Sequence, residues 1–292
     1  MWNKSIEKVN RLINKEIKYI SRSYSYNIKF FFDHSLLYSK GILVFINFSF
    51  DKLSSFNNTI KGNIRNNNHN NSNNSEIFID KLINLMTGIE ILGLGINFHN
   101  FSVDFFKNLI TNRSKIDRYR KKYTSELLFG DIFYCRAIFY LLKCGDFSIL
   151  DTILETLKTV NYNKLLLSDR IVELLQGKLS FEDLIIEDIN SLIGINSLFK
   201  TSLMFGIDLF FNGSERSNFN YLLGIISKLV LLKSYKDLID FSKTLSCFND
   251  NIYGINFLIQ QKNYVKDKLI NILSSLKPDW LADNFRLILN DL

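Results

Sequence analysis

An all-α fold is what this sequence predicts, and three observations predict it. Pro278 is the only proline in 292 residues, and proline is the main breaker of helix interiors, so long helices run uninterrupted. Apolar residues recur at spacings of three and four, the period of a helix face. Alternating apolar and polar runs, the mark of half-buried strands, are scarce. With 47% hydrophobic residues the chain can bury a sizeable core, and we treat residues 1–292 as one domain.

The first element is an amphipathic helix over residues 1–22. Lys4, Lys8, Arg11, Lys15, Lys18 and Arg22 step by three and four onto one face, while Trp2, Ile6, Val9, Ile13, Ile17 and Ile20 fall on the other. Six basic and two acidic side chains there account for +4 of the net charge of +7. Such a helix sits with one face on the core and one in water, or rests on an anionic membrane surface. A mitochondrial presequence has the same shape, but Glu7 and Glu16 count against it.

His34 to Phe50 is an apolar run suited to a buried second helix. Residues 57–75 are Asn-rich without hydrophobic periodicity, and predict a disordered insertion that has nothing to bury against its ordering entropy. Glu76 to Phe98 reads as a long central helix, with Gly88, Gly93 and Gly95 placed for close backbone approach. Its apolar stretch is interrupted by Asp80, Lys81, Asn84 and Glu90, which favours a buried core helix over a membrane span. Residues 102–111 continue as helix, and Arg113 to Lys122 is a basic connection.

Thr124 to Leu142 is apolar on nearly every side and predicts a fully buried helix, punctuated by Gly145 and Asp146. Ser148 to Val160, Phe181 to Phe211 and Asn218 to Leu245 follow as helices, with a break at Asn212-Gly213-Ser214. A hairpin of Asn256 to Leu276 and Asp279 to Leu292 closes the chain, turning at Pro278, which suits a helix start.

Several function classes fall away at this level. Cys135, Cys144 and Cys247 have no metal-ligand spacing and suggest buried thiols in a reducing compartment. His34, His69 and His99 do not cluster, which argues against zinc. The N-terminus lacks the apolar core of a secretory signal. Basic residues outside residues 1–22 and 113–122 are dispersed among acids, which argues against nucleic-acid binding.

Four motifs carry a family resemblance. Leu127-Leu128-Phe129-Gly130-Asp131-Ile132-Phe133 resembles the "LLAGDYLL" helix of trans-prenyl diphosphate synthases, and Phe199-Lys200-Thr201-Ser202-Leu203-Met204-Phe205 resembles their "KTAxLF" helix. Gly224 to Phe241 has the shape of their "G…FQxxDDxxDF" segment, and Asn263 to Pro278 resembles their C-terminal hairpin. Order and spacing agree from about residue 34 to the end. The resemblance implies a single large helical bundle of the isoprenoid synthase type.

In that family two facing aspartate-rich sites hold magnesium ions that bridge an allylic diphosphate, and such ions need several converging hard oxygens. Here His99-Asn100-Phe101-Ser102-Val103-Asp104 keeps only Asn100 and Asp104 as oxygen donors of the first site. In the second, Lys236 replaces the leading aspartate and leaves Asp237 and Asp240; an ammonium there repels a metal and can pair with one of these carboxylates. Lys40, Lys200 and Thr201 match positions that would touch diphosphate, and Arg113, Arg118 and Arg120 stand loosely where the family has paired arginines.

The chain is most similar in style to the non-catalytic small subunits of heterodimeric long-chain synthases, such as component I of bacterial heptaprenyl diphosphate synthase or the second subunit of decaprenyl and solanesyl synthases. What this implies is a subunit that holds no cofactor alone. It would pair with a catalytic chain carrying DDxxD sites and magnesium, act on prenyl diphosphates, and help make the side chain of a quinone such as menaquinone or ubiquinone. Phe129, Phe133, Phe139 and Phe205 would wall a product channel or simply form core. A cytoplasmic protein with peripheral membrane contact is expected, or a mitochondrial one in a eukaryote. The residues leave open a divergent catalytic prenyltransferase with reduced metal sites, and a prenyl-lipid or membrane-binding helical module.

Overall fold

The computed structural model describes residues 2–24, 36–46, 71–99, 116–175, 178–179, 183, 191, 193–208, 220–246, 252–274, 285 and 288–292. The elements are α1 (Trp2–Tyr24), α2 (Asn71–Phe98), α3 (Ile116–Lys143), α4 (Phe147–Leu175), α5 (Ser197–Asp208), α6 (Asn220–Ser246) and α7 (Ile252–Ser274). Residues 37–46 are also helical, and no strand occurs among the described residues. The all-α prediction holds. Two compact units divide the chain: Met1–Leu150 with Met204–Phe210, and Asp151–Leu203 with Phe211–Leu292.

The first unit is built on α2, which packs against both α1 and α3. From Leu82 to Phe98 only Asn84 and Asn97 escape burial, so α2 has no polar stripe to present. Its glycines act by absence of a side chain. A Cβ at Gly88 would lie 2.8 Å from Leu141 Cγ, one at Gly95 2.5 Å from Tyr134 Cδ1, and one at Gly93 2.5 Å from Tyr38 Cε2. Gly88 and Gly95 thus let α3 close onto α2, and Gly93 admits the 37–46 helix. That helix also meets α5, where a Cβ on Gly206 would be 2.6 Å from Ile42 O.

α1 turns Val9, Ile13, Ile17 and Ile20 inward and leaves Lys4, Lys8, Arg11, Lys15 and Lys18 exposed, as its spacing requires. α3 departs from expectation in two ways. It begins at Ile116 and so absorbs most of the stretch read as a basic connection. It is also not fully buried. Phe129, Phe133, Ala137, Tyr140 and Leu141 form its inner face, whereas Leu128 is 58% and Leu142 50% exposed. An apolar residue carries no mark of which side it takes, so composition alone could not separate the two faces. Of the four phenylalanines, Phe129, Phe133 and Phe205 are buried and Phe139 is 42% exposed. Cys144 is buried, and burial pushes its thiol up to about 12. Cys135 is exposed, against the expectation of a buried thiol.

Asp146 explains the break between α3 and α4. Gly145 takes a positive φ of 69°, the left-handed turn that favours glycine after a helix. Asp146 Oδ1 then accepts the Ser148 N–H at 2.9 Å and caps α4. α2 starts at Asn71, five residues before the predicted Glu76, so the end of the Asn-rich tract is helical. The earlier part of residues 57–75, residues 102–111 and the turn at Pro278 lie outside the described residues.

In the second unit α6 packs on α7. Leu222, Ile225, Leu229 and Val230 of α6 and Leu258, Leu269 and Leu273 of α7 are buried. Phe285, Ile288 and Leu289 from the last stretch are buried too.

Candidate functional site

Asn100 and Asp104 lie outside the described residues, and the first motif is described only at His99. That residue belongs to the packing of α2 on α3. His99 Nε2 is 3.1 Å from Leu127 O and 3.2 Å from Asp131 Oδ1; both are acceptors, so Nε2 carries the proton. A Cβ at Gly130 would collide with the imidazole. The Gly130-Asp131 landmark therefore has a local cause: glycine clears the ring's place and aspartate accepts its N–H.

Lys40 lies half-buried on the 37–46 helix, in the field of Glu90. Glu90 is a buried carboxyl that accepts the Ser39 N–H at 2.7 Å. Burial pushes it up to about 7, while the Ser39 hydrogen bond and the charge of Lys40 pull the other way. Ser39 Oγ and Thr87 Oγ1 are buried without a hydrogen-bond partner among the described residues. The charge of Lys40 thus acts weakly on Glu90, behind burial and the main-chain hydrogen bonds of Ser39 and Tyr38.

On α5, Lys200 is exposed and Thr201 is half-buried. Thr156 Oγ1 donates to Thr152 O at 2.7 Å and lies 2.9 Å from Thr201 Oγ1, so Thr201 donates to it. The Thr201 hydroxyl proton is thereby committed inside the second unit. Arg118 and Arg120 fall within the first turns of α3, and Arg113 lies outside the described residues.

The second motif lies on α6. Asp237 receives the Lys233 ammonium at 3.0 and 2.9 Å, one helical turn away. Lys236 donates instead to the main-chain oxygen of Asp291. Lys236 could have paired with one of the motif's carboxylates; at Asp237 it is Lys233 that does so, because i to i+4 spacing brings it to the same face. Asp237 and Asp240 are exposed on this helix. Ser234, between the two lysines' positions, is buried, donates to Val230 O at 2.9 Å and accepts from Asn196 Nδ2 at 3.1 Å. Two ammonium groups against two carboxylates leave no net negative charge, so this donor set does not fit a magnesium ion. Among the described residues no three His, Cys, Asp or Glu side chains gather as a metal site.

Two features escaped the sequence reading. Glu16 is buried on α1 and takes a forked pair of hydrogen bonds from Arg136, Nε at 2.7 Å and Nη2 at 2.6 Å, and one from Tyr140 OH at 2.8 Å. Burial works to raise its pKa, but these donors outweigh it and hold the carboxyl below the ordinary value. A signal was present, since Glu16 falls between Ile13 and Ile20 on the apolar stripe. The second is a groove of about 670 Å³ above this triad, between α1, α2 and α3. No helix among the described residues is long and apolar enough to cross a membrane.

No protein-family model matches the chain. No curated protein is significantly similar to it. Among solved structures, a geranyltransferase from Helicobacter pylori 26695 is similar at a TM-score of 0.48 and 17% identity, over 85% of this chain and 97% of that one.

Proposed function

We propose that this chain is a non-catalytic, helical subunit of a prenyltransferase assembly. Its partner would be a chain with intact aspartate-rich sites that makes a long prenyl diphosphate, destined for a quinone side chain. The observation that carries the reading is the state of the α6 motif. A lysine stands at its leading position, and Asp237 is neutralised by Lys233. Neither carboxylate arrangement nor charge there suits a divalent cation. Beside it stand the four motifs in family order, with Gly130-Asp131 and Thr201 each held by specific packing.

The isolated chain is expected to form no prenyl diphosphate from farnesyl and isopentenyl diphosphates with magnesium. Affinity purification from the native host is expected to bring down a prenyltransferase carrying DDxxD motifs. Adding the chain to that enzyme should raise its rate or lengthen its product. Robust synthesis by the pure chain would reject the proposal in favour of a divergent enzyme.

A further inference from the structure

The groove over the Glu16 triad is lined by four cations, Lys8, Lys15, Arg136 and Lys143, against Glu16 and Asp80. Two of these pair internally, Lys8 with Asp80 at 2.9 Å and Arg136 with Glu16 at 2.6 Å. Lys15 and Lys143 are exposed and form no ion pair within 4 Å among the described residues, although the charge of Lys15 is felt by Glu16. Lys143 Nζ stands 4.2 Å from the centre of the Phe139 ring. Phe139 is 42% and Tyr19, on the same groove, 68% exposed. Leu142, beside Lys143, is 50% exposed. The remaining outward charges of α1 are Lys4 and Lys18, with Arg11 paired to Glu7 at 3.6 Å.

Lysines interleaved with exposed aromatics suit a boundary that is apolar on one side and charged on the other. Phe139 and Tyr19 stand out of the surface beside Lys15 and Lys143 on one groove, the aromatic-and-basic arrangement of a protein that rests in a headgroup layer. The charge is complementary to lipid phosphates. We infer that this groove and the basic face of α1 dock on an anionic bilayer. A phospholipid phosphate would sit between Lys15 and Lys143, with Phe139 and Tyr19 entering the headgroup layer. This holds whether or not the chain serves a prenyltransferase, because it uses none of the motif residues.

The test is co-sedimentation of the full-length protein with vesicles of phosphatidylglycerol and phosphatidylcholine, against phosphatidylcholine alone. Binding is expected only with the anionic lipid. Near a charged surface each lysine contributes about fivefold in partition, so Lys15→Glu with Lys143→Glu should lower binding by at least roughly 25-fold. Lys158→Glu with Lys268→Glu makes the same change in net charge on α4 and α7 and should lower binding by less than about threefold. Circular dichroism and thermal melting check that both variants fold. In Phe139→Trp, tryptophan emission should shift to the blue on adding anionic vesicles. Equal losses in the two double variants, equal binding to neutral vesicles, or no sedimentation with either would overturn the inference. So would stabilisation by inorganic phosphate without vesicle binding, which would mark a free-anion site.

Discussion

Glu16 and Glu90 are both buried acids, yet their environments push them in opposite directions. Glu16 has a guanidinium and a phenol aimed at it, and stays ionised. Removing the guanidinium leaves a buried charge without its partner. Arg136→Ala is expected to cost about 2–3 kcal/mol in urea denaturation, below the full penalty of a buried pair because Arg136 is 36% exposed. Arg136→Lys should recover only part, since an ammonium cannot supply the fork. Glu90 has no such donor pair, and its carboxyl is raised to about 7. Above the unfolded value of about 4.5 the native state holds a proton that the unfolded chain releases. Stability therefore falls as pH rises from about 4.5 to about 7, by on the order of 3 kcal/mol, and stays low above that. Glu90→Gln keeps an acceptor for the Ser39 N–H and should flatten this slope. A variant with an unchanged slope in melts across that window would show that another group titrates there.

Among elements, the α2–α3 pair depends on what α2 lacks. Gly88 and Gly95 meet Leu141 and Tyr134 at distances that no real Cβ tolerates. Gly88→Ala or Gly95→Ala is expected to cost about 1–3 kcal/mol in denaturant titration despite alanine's better helix propensity, because overpacking outweighs it. Alanine at Gly224, where an added Cβ meets nothing within 4 Å, serves as the control and should be neutral or mildly stabilising. The extents of α1, α6 and α7 were legible within a few residues, because a core face repeated at three and four marks its own length. The start of α3 was not: Arg113 to Lys122 looked like a loop by its charge, yet basic residues are good helix formers once a neighbour nucleates the helix.

For the molecule as a whole, the reading as a subunit makes Asp237 and Asp240 dispensable. In a reconstituted assembly, Asp237→Asn with Asp240→Asn should leave the rate of prenyl chain growth within about twofold, well under the factor of ten that 1.4 kcal/mol of transition-state stabilisation represents. A drop of a hundredfold or more would return the carboxylates to the chemistry. The same substitutions should cost at most about 1 kcal/mol in stability, since Asp237's pair with the half-buried Lys233 is an i to i+4 contact whose carboxylate end faces solvent.

The sequence by itself determined the all-α class, the two faces of α1, the helix of α2 with its close-packing glycines, and the motifs that raise the family comparison. These are local properties, set by periodicity, by a missing proline and by missing side chains. Only the tertiary structure decided which apolar residues of α3 face outward and that Glu16 and Arg136 meet. It also decided that Gly130-Asp131 houses the His99 ring. Burial and pairing depend on which surfaces meet, and residues 120 positions apart, such as Glu16 and Arg136, leave no local pattern that names the partner.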